Sequence, residues 1–384
     1  MMLLIAAALA APVDPFEEPD ELDLYRLEDE LVTSASRYAQ TVAEAPANVR
    51  VISAAEMRRA GHVTLSEVLQ ALPGIYVTRS AEGRSLAWFR GVTGYDNSRF
   101  LLLVDGVPWY DGVYTHAWID SYLPLSIVKQ VEVIKGPSSV LYGTNAFSGA
   151  VNVVTWGPAD LDGSRIQAHA GSDRTVDATL TVGGELPADD SRALAYVRMH
   201  DTVGDGLQST PSGSANVLAD APVRALNAGL HLEFGALDLR YAHVDYRHGY
   251  YAGAKDDLWD LVLTDPDAFG FEYRHDYVSS SYTFVVGQDL EVRPIWVFEE
   301  HDDRGLYGWL DEPTYAQDGG LTWRGTLVDT AKHTRRYVTG IETEARLINF
   351  HVNVMGAGVE AVNVLEIEDL AYEDFGDEAI VSFA

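Results

Sequence analysis

From residue 157 to its end the chain alternates apolar and polar residues with a period of two, and this pattern restricts the fold more than any other feature. Val176, Ala178, Leu180 and Val182 alternate with Thr175, Asp177, Thr179 and Thr181. Leu290, Val292, Pro294, Trp296 and Phe298 alternate in the same way with Asp289, Glu291, Arg293, Ile295 and Val297. A strand sends successive side chains to opposite faces, so these segments carry one apolar and one mostly polar face. Candidate strands run near 164–171, 175–186, 191–202, 224–235, 237–249, 273–287, 289–302, 320–329, 333–347 and 349–364. The connections are the sharper signal: 187–190, 235–236 and 288–289 are short, 203–223, 250–272 and 303–319 are long, and the two kinds alternate. Only the first connection, Gly171 to Arg174, departs from this rule. Short turns on one side and long loops on the other suit a transmembrane β-barrel; a soluble β-sandwich does not require them. Tyr250, Tyr251, Trp259, Phe269, Tyr307 and Trp309 in the long loops suit an aromatic girdle at the membrane interface or contact with a ligand.

Composition narrows the classes further. The chain has no cysteine, which removes disulfide and thiol chemistry. With 27 Lys+Arg against 58 Asp+Glu, its formal charge of -31 argues against nucleic acid as a partner. Beyond the N-terminus there is no apolar run of the length, about 18 residues, that a membrane-spanning helix needs. Residues 1–11, MMLLIAAALAA, form an apolar segment ending in small residues and are expected to be a secretory signal peptide without a basic n-region. Residues 12–37 are an acidic, proline-containing tail unable to pack a core. Glu30, Leu31, Val32, Thr33 and Ser34 within it are strand-prone, so the segment is either an edge for a partner strand or a plain linker.

Residues 38–156 read as a small α+β unit. Val49–Ile52 suits a strand, Ser53-x-x-Glu56 and Thr64-x-x-Glu67 are capping boxes that open two helices, and Pro73-Gly74 ends the second. Ile75–Val77, Phe100–Val104, Val131–Ile134 and Ala150–Val154 are further strands, with Asp105-Gly106 as a turn and Arg79–Trp88 as a loop. No phosphate loop, nucleophile elbow or H-E-x-x-H motif is present, so no catalytic residue, cofactor site or metal site is assigned and the chain is not read as an enzyme. His243 and His248, five apart on a strand pattern, point to opposite faces.

Arg90-Gly91, Val104–Val107 (VDGV), Val131–Pro137 (VEVIKGP), Leu141–Gly143 (LYG) and Gly149–Thr155 (GAVNVVT) occur in an order and spacing that resembles the plug domain of TonB-dependent outer-membrane receptors. Val32–Arg37 is similar to the lead-in beside those receptors' TonB box. The resemblance implies an α+β plug domain, an antiparallel transmembrane β-barrel over 157–384, and a place in the outer membrane of a Gram-negative bacterium. It implies import of a scarce nutrient, a ferric siderophore first. A TonB-type coupling protein would bind the Glu30–Ser34 segment, a small-molecule ligand such as a metal chelate would bind the plug, and outer-membrane lipid would surround the wall. By position in the family pattern, Gly94, Tyr95, Asp96, Trp109, Tyr110, Tyr114 and His116 are the expected ligand contacts, and Arg90, Glu132 and Lys135 the expected latch between plug and barrel. Lys135 stands where the family usually has arginine, which keeps the charge but loses the bidentate fork. A surface-binding or signalling receptor without transport is the alternative function, and an inactive shortened product is another.

Size adds one more expectation. Ten strands tilted by about 40° close a cylinder roughly 20 Å across, whereas a plug of this length is about 34 Å across. About 22 strands are needed to enclose it. The 10–11 strands legible here are therefore expected to be an incomplete wall, as a fragment or as half of a split barrel.

Overall fold

The computed structural model describes residues 49–375 except 81–83, 95–96, 111–114, 138–144, 205–206, 210–216, 220–221, 250–269, 288–289, 311–313, 316–320, 323–324, 348–349 and 356–358, together with 31–32 and 40–41. The expected signal peptide and most of the acidic tail lie outside the described residues. Leu31–Val32 pairs antiparallel with Gln40–Thr41.

The first unit is built on a five-stranded mixed sheet of β1 (Val49–Ser53), β4 (Phe100–Val104), β5 (Val107–Pro108), β6 (Val128–Lys135) and β7 (Gly149–Thr155), in the order β1-β6-β7-β4-β5. Its one parallel pair is β4 with β7. Two short helices, α1 (Ala54–Ala60) and α2 (Leu65–Gln70), follow β1. The Ser53 side chain accepts from the Glu56 backbone N–H at 3.2 Å, and Gly61 ends α1 in the left-handed region at φ 74. The Glu56 carboxylate pairs with Arg50 at 2.6 Å. At α2 the capping box is complete, Thr64 and Glu67 each accepting from the other's backbone N–H. Leu65, Val68 and Leu69 on α2 pack with Ile52, Phe100, Val131, Val133, Val151 and Val153.

A second hairpin, β2 (Ile75–Arg79) with β3 (Ser85–Phe89), puts a strand where the sequence suggests a loop. The Asn97 side chain makes that strand: it accepts from Ala87 N and donates to Ser85 O and Ala117 O. Phe89 then packs against Phe100 in a tilted pair with centroids 4.9 Å apart. The same ring explains Gly149, where a Cβ would stand 2.6 Å from Ile134 O and 2.8 Å from the Phe89 ring. At the Asp105-Gly106 turn both residues have positive φ, 49 and 81, the geometry of a tight two-residue hairpin.

The second unit is an antiparallel sheet of long strands: β8 (Gly163–Ala170), β9 (Val176–Glu185), β10 (Ser191–Thr202), β11 (Val223–Phe234), β12 (Leu237–Gly249), β13 (Gly270–Tyr282), β14 (Phe284–Val286), β15 (Leu290–Leu310), β16 (Gly325–Leu347), β17 (Phe350–Met355) and β18 (Val359–Phe375). From β8 to β13, and on through β15 to β16, each strand pairs with the next, and β17 and β18 both pair with β16. Among the described residues the sheet is open, with β8 at one end of the order and β17 and β18 at the other. The structure lengthens some elements beyond the sequence reading. β15 runs eight residues past 302, and one strand, β16, covers most of the two segments expected at 320–329 and 333–347. The long connection therefore shifts from 303–319 to 311–324.

This sheet is inverted relative to a soluble protein. On β9 the apolar Val176, Leu180 and Val182 are 58%, 41% and 48% exposed, while Asp177, Thr179 and Thr181 are buried at 7%, 1% and 4%. The same parity holds for exposed Val197 and Met199 beside buried Arg198 and His200 on β10, and for exposed Leu226 and Leu230 beside buried Asn227 and His231 on β11. An apolar outer face and a polar inner face belong to a wall with hydrocarbon outside and a wet or plugged lumen inside.

Candidate functional site

The first unit sits against the polar inner face of the wall, and the contact is assembled from residues 105–110 and 115–126 on one side and inward-facing wall residues on the other. Three arginines of the described wall residues carry it. Arg198 of β10, fully buried, donates from Nε to Asp177 at 2.7 Å and from Nη1 to the Ser121 carbonyl at 2.7 Å and to Asn227 Oδ1 at 3.1 Å. Asn227 of β11 in turn donates Nδ2 to the Tyr122 carbonyl at 2.9 Å. Arg240 of β12 donates to Asp238 at 2.9 Å and to Asp105 of the turn at 2.5 Å. Asp105 also accepts from the Thr155 backbone and hydroxyl at 2.8 and 2.7 Å, so one carboxylate ties the turn, the end of β7 and the wall together. Arg336 of β16 makes a two-point pair with Glu299 of β15 at 2.6 and 2.5 Å and donates to the Pro108 carbonyl at 2.5 Å. Its guanidinium lies 4.5 Å from the Tyr110 ring centroid.

Each arginine thus has a carboxylate partner within the wall and spends a further N–H on the inserted unit. That arrangement decides what separation costs. A buried charge deprived of its partner costs several kcal/mol, but here the ion pairs Arg198–Asp177, Arg240–Asp238 and Arg336–Glu299 stay with the wall. What is lost on withdrawal is the second pairing of Arg240, to Asp105, and hydrogen bonds from Arg198 and Arg336 to main-chain carbonyls, charge-assisted bonds worth about 1.5–3 kcal/mol each. The contact is strong in sum and divisible in steps.

Aromatic packing fills the space between these fastenings. Trp109 lies 4.4 Å from His275 and 5.2 Å from Tyr277 by ring centroids. Trp118 lies 4.3 Å from Tyr273, and Tyr122 5.5 Å from Tyr246. Ser126 and Thr179 share a hydrogen bond of 2.7 Å.

Of the expected ligand contacts, Trp109, Tyr110 and His116 are buried in this packing. His116 meets Arg84 at 3.2 Å, and the Arg84 guanidinium stands 5.3 Å from the Trp118 ring centroid. Gly94 is half-buried, and a Cβ there would meet the Arg99 side chain at 2.5 Å. Tyr95, Asp96 and Tyr114 lie outside the described residues, as do Glu30, Thr33 and Ser34 of the coupling segment.

The expected latch residues gather around groups of the inserted unit itself. Arg90 is exposed in a positive-φ turn (φ 51), with its backbone N–H on the Gly74 carbonyl at 2.8 Å. Lys135 Nζ donates to the neighbouring Pro73 carbonyl at 3.2 Å. Buried Glu132 accepts from Gln130 at 2.8 Å and Asn152 at 3.2 Å. The fastenings to the wall found among the described residues place arginine on the wall and acceptors on the inserted unit. The missed signal was parity: Arg198 falls between the outward Val197 and Met199, on the face that cannot meet lipid.

Comparison with known proteins follows the same division. The model of the "TonB-dependent Receptor Plug Domain" family matches residues 41–150. The vitamin B12 transporter BtuB of Vibrio vulnificus is 33% identical over 271 residues, 70% of this chain and 41% of that protein. The iron-regulated outer membrane virulence protein of Vibrio cholerae is 30% identical over 142 residues, 35% of this chain and 21% of that protein. Among solved structures, the open form of the ferric-catecholate import receptor Fiu from E. coli K12 aligns with a TM-score of 0.60 at 19% identity, covering 84% of this chain and 50% of its own. The pyoverdine outer membrane receptor FpvA of Pseudomonas aeruginosa PAO1, bound to pyoverdine, aligns at 0.64 and 15% identity, covering 86% and 48%. The chain spans about half or less of the length of these relatives.

Proposed function

We propose that this chain, which matches the plug-domain family over residues 41–150 and a vitamin B12 transporter over 70% of its length, serves energy-coupled import of a scarce nutrient, with the plug as the gate. Its place is the outer membrane of a Gram-negative cell, and its family consists of transporters and receptors rather than enzymes. The observation that carries the reading is the divided fastening of plug to wall. Ser121, Asp105 and Pro108 are held by wall arginines that also pair with wall carboxylates, and Tyr122 by the neutral Asn227, so a pull on the plug meets a series of moderate steps. In this reading a TonB-type coupling protein supplies the pull through the Glu30–Ser34 segment, and the ligand binds plug loops that include Gly94, Tyr95, Asp96 and Tyr114. Trp109, Tyr110 and His116 join it once the plug shifts from the wall.

The proposed cargo is a ferric siderophore. Cobalamin is the second reading, favoured by the match to a vitamin B12 transporter over 271 residues against 142 for the iron-regulated protein. Cells expressing the chain are expected to accumulate labelled nutrient, and deletion of residues 30–34 to abolish that accumulation. Uptake that survives the deletion overturns energy coupling through this segment, and no uptake by the unaltered chain leaves a receptor without transport. Parallel assays with a labelled ferric siderophore and labelled cobalamin separate the two cargoes.

A further inference from the structure

Three donor side chains meet on the inner face of the wall where β13 and β15 run side by side. His275 and His301 are directly opposed residues of these strands, and Glu299 precedes His301 by two, on the same face. All three are buried, at 1%, 4% and 0% exposure. Their donor atoms, one per side chain, lie within 4.8 Å of one another. The imidazoles stack with centroids 3.8 Å apart.

Buried polar atoms are nearly always hydrogen-bonded. Here, among the described residues, neither ring nitrogen of His275 has a hydrogen-bond partner, and His301 Nε2 has none either. His301 Nε2 stands 3.7 Å from Glu299 Oε2. That is too long for a hydrogen bond, which would be about 2.9 Å. It is close to the roughly 3.4 Å between neighbouring donors that bonds of about 2.0–2.1 Å give in a tetrahedral metal site. Two imidazoles and one carboxylate are the donor set of zinc and its first-row neighbours, whereas calcium takes about six to eight oxygens.

We propose that His275, His301 and Glu299 form a binding site for a late first-row divalent cation on the inner wall. The site is coupled to one of the three plug fastenings, because Glu299 is the carboxylate that pairs with Arg336. A divalent ion beside a buried guanidinium adds charge of the same sign, so occupancy draws Glu299 away from Arg336. Arg336 then holds Pro108 and Tyr110 less firmly. The site stands apart from the import reading and does not depend on which nutrient passes.

The test uses the purified, untagged full chain in detergent. Zn2+ is titrated against a chromophoric chelator, with Ca2+ as the hard-cation control. The expected result is one Zn2+ per chain, not displaced by Ca2+, with affinity at least about tenfold weaker in His275→Ala and in His301→Ala, the size lost even on removing outer-shell partners of metal sites. His243→Ala, which removes a ring that bonds Asp276, leaves affinity unchanged, and Arg336→Gln binds Zn2+ more tightly because Glu299 is released. The unaltered chain supplies a reading independent of any variant's folding: its Cu2+ complex shows electron-spin-resonance splitting from two imidazole nitrogens. A Cu2+ spectrum with one such nitrogen or none, no Zn2+ uptake by the unaltered chain, or unchanged Zn2+ affinity in the double variant overturns the proposal.

Discussion

Asn227 is the side chain at which the two halves of the molecule are most directly joined. Fully buried, it accepts from Arg198 and donates to the Tyr122 carbonyl. Asn227→Ala leaves a buried carbonyl and a buried guanidinium N–H each short of a partner, at about 1–3 kcal/mol. The expected outcome is earlier release of the plug in urea, followed through the fluorescence of Trp109 and Trp118, which lie in the contact. The Asp105–Arg240 pair calls for a different measurement, since Asp105 also serves Thr155 and Arg240 also serves Asp238. A double-mutant cycle with Asp105→Ala and Arg240→Ala removes those shared terms, and the expected coupling is about 0.5–3 kcal/mol. Additive effects would show that the two residues support the contact independently.

At the scale of the elements, parity governs the wall. Leu180 of β9 is exposed on the lipid face, one residue from fully buried Thr179. Leu180→Arg is expected to destabilise the wall by about 2–4 kcal/mol if the position lies near the bilayer midplane, read as loss of the compact, heat-modifiable gel band after refolding into vesicles. The strand pattern, the two helices and the Asp105-Gly106 turn were legible in the sequence because each follows from neighbours a few residues apart. β3 was not, because Asn97, outside the strand, satisfies its backbone. Nor were the fastenings: Arg198 reaches across 77 positions to Ser121, Arg240 across 135 to Asp105, and Arg336 across 228 to Pro108. No local periodicity records such pairs. Polar parity marks the arginines as inward, but only the assembled wall shows what they meet. The His275, Glu299 and His301 cluster was hidden in the same way: two of its members share a strand, and the third is brought in by strand pairing.

The whole molecule joins a conventionally packed plug to a wall turned inside out. Its function in the proposed reading depends on the two remaining separable, so variants that fix them together are informative. Cysteines placed at Ser126 and Thr179, whose hydroxyls touch, are expected to form a cross-link that blocks nutrient accumulation until it is reduced, the chain having no cysteine of its own to interfere. Accumulation unaffected by the cross-link would mean that cargo passes without the plug leaving this part of the wall. At Ser121, Tyr122 and Pro108 the wall grips main-chain carbonyls, which every amino acid supplies. At these three positions the wall therefore recognises the path of the plug's backbone, whereas at Asp105, Trp109 and Trp118 it meets side chains. Ser121 and Pro108 can therefore change side chain and still offer the carbonyls that the wall grips, whereas a change at Asp105, Trp109 or Trp118 alters the surface that the wall meets.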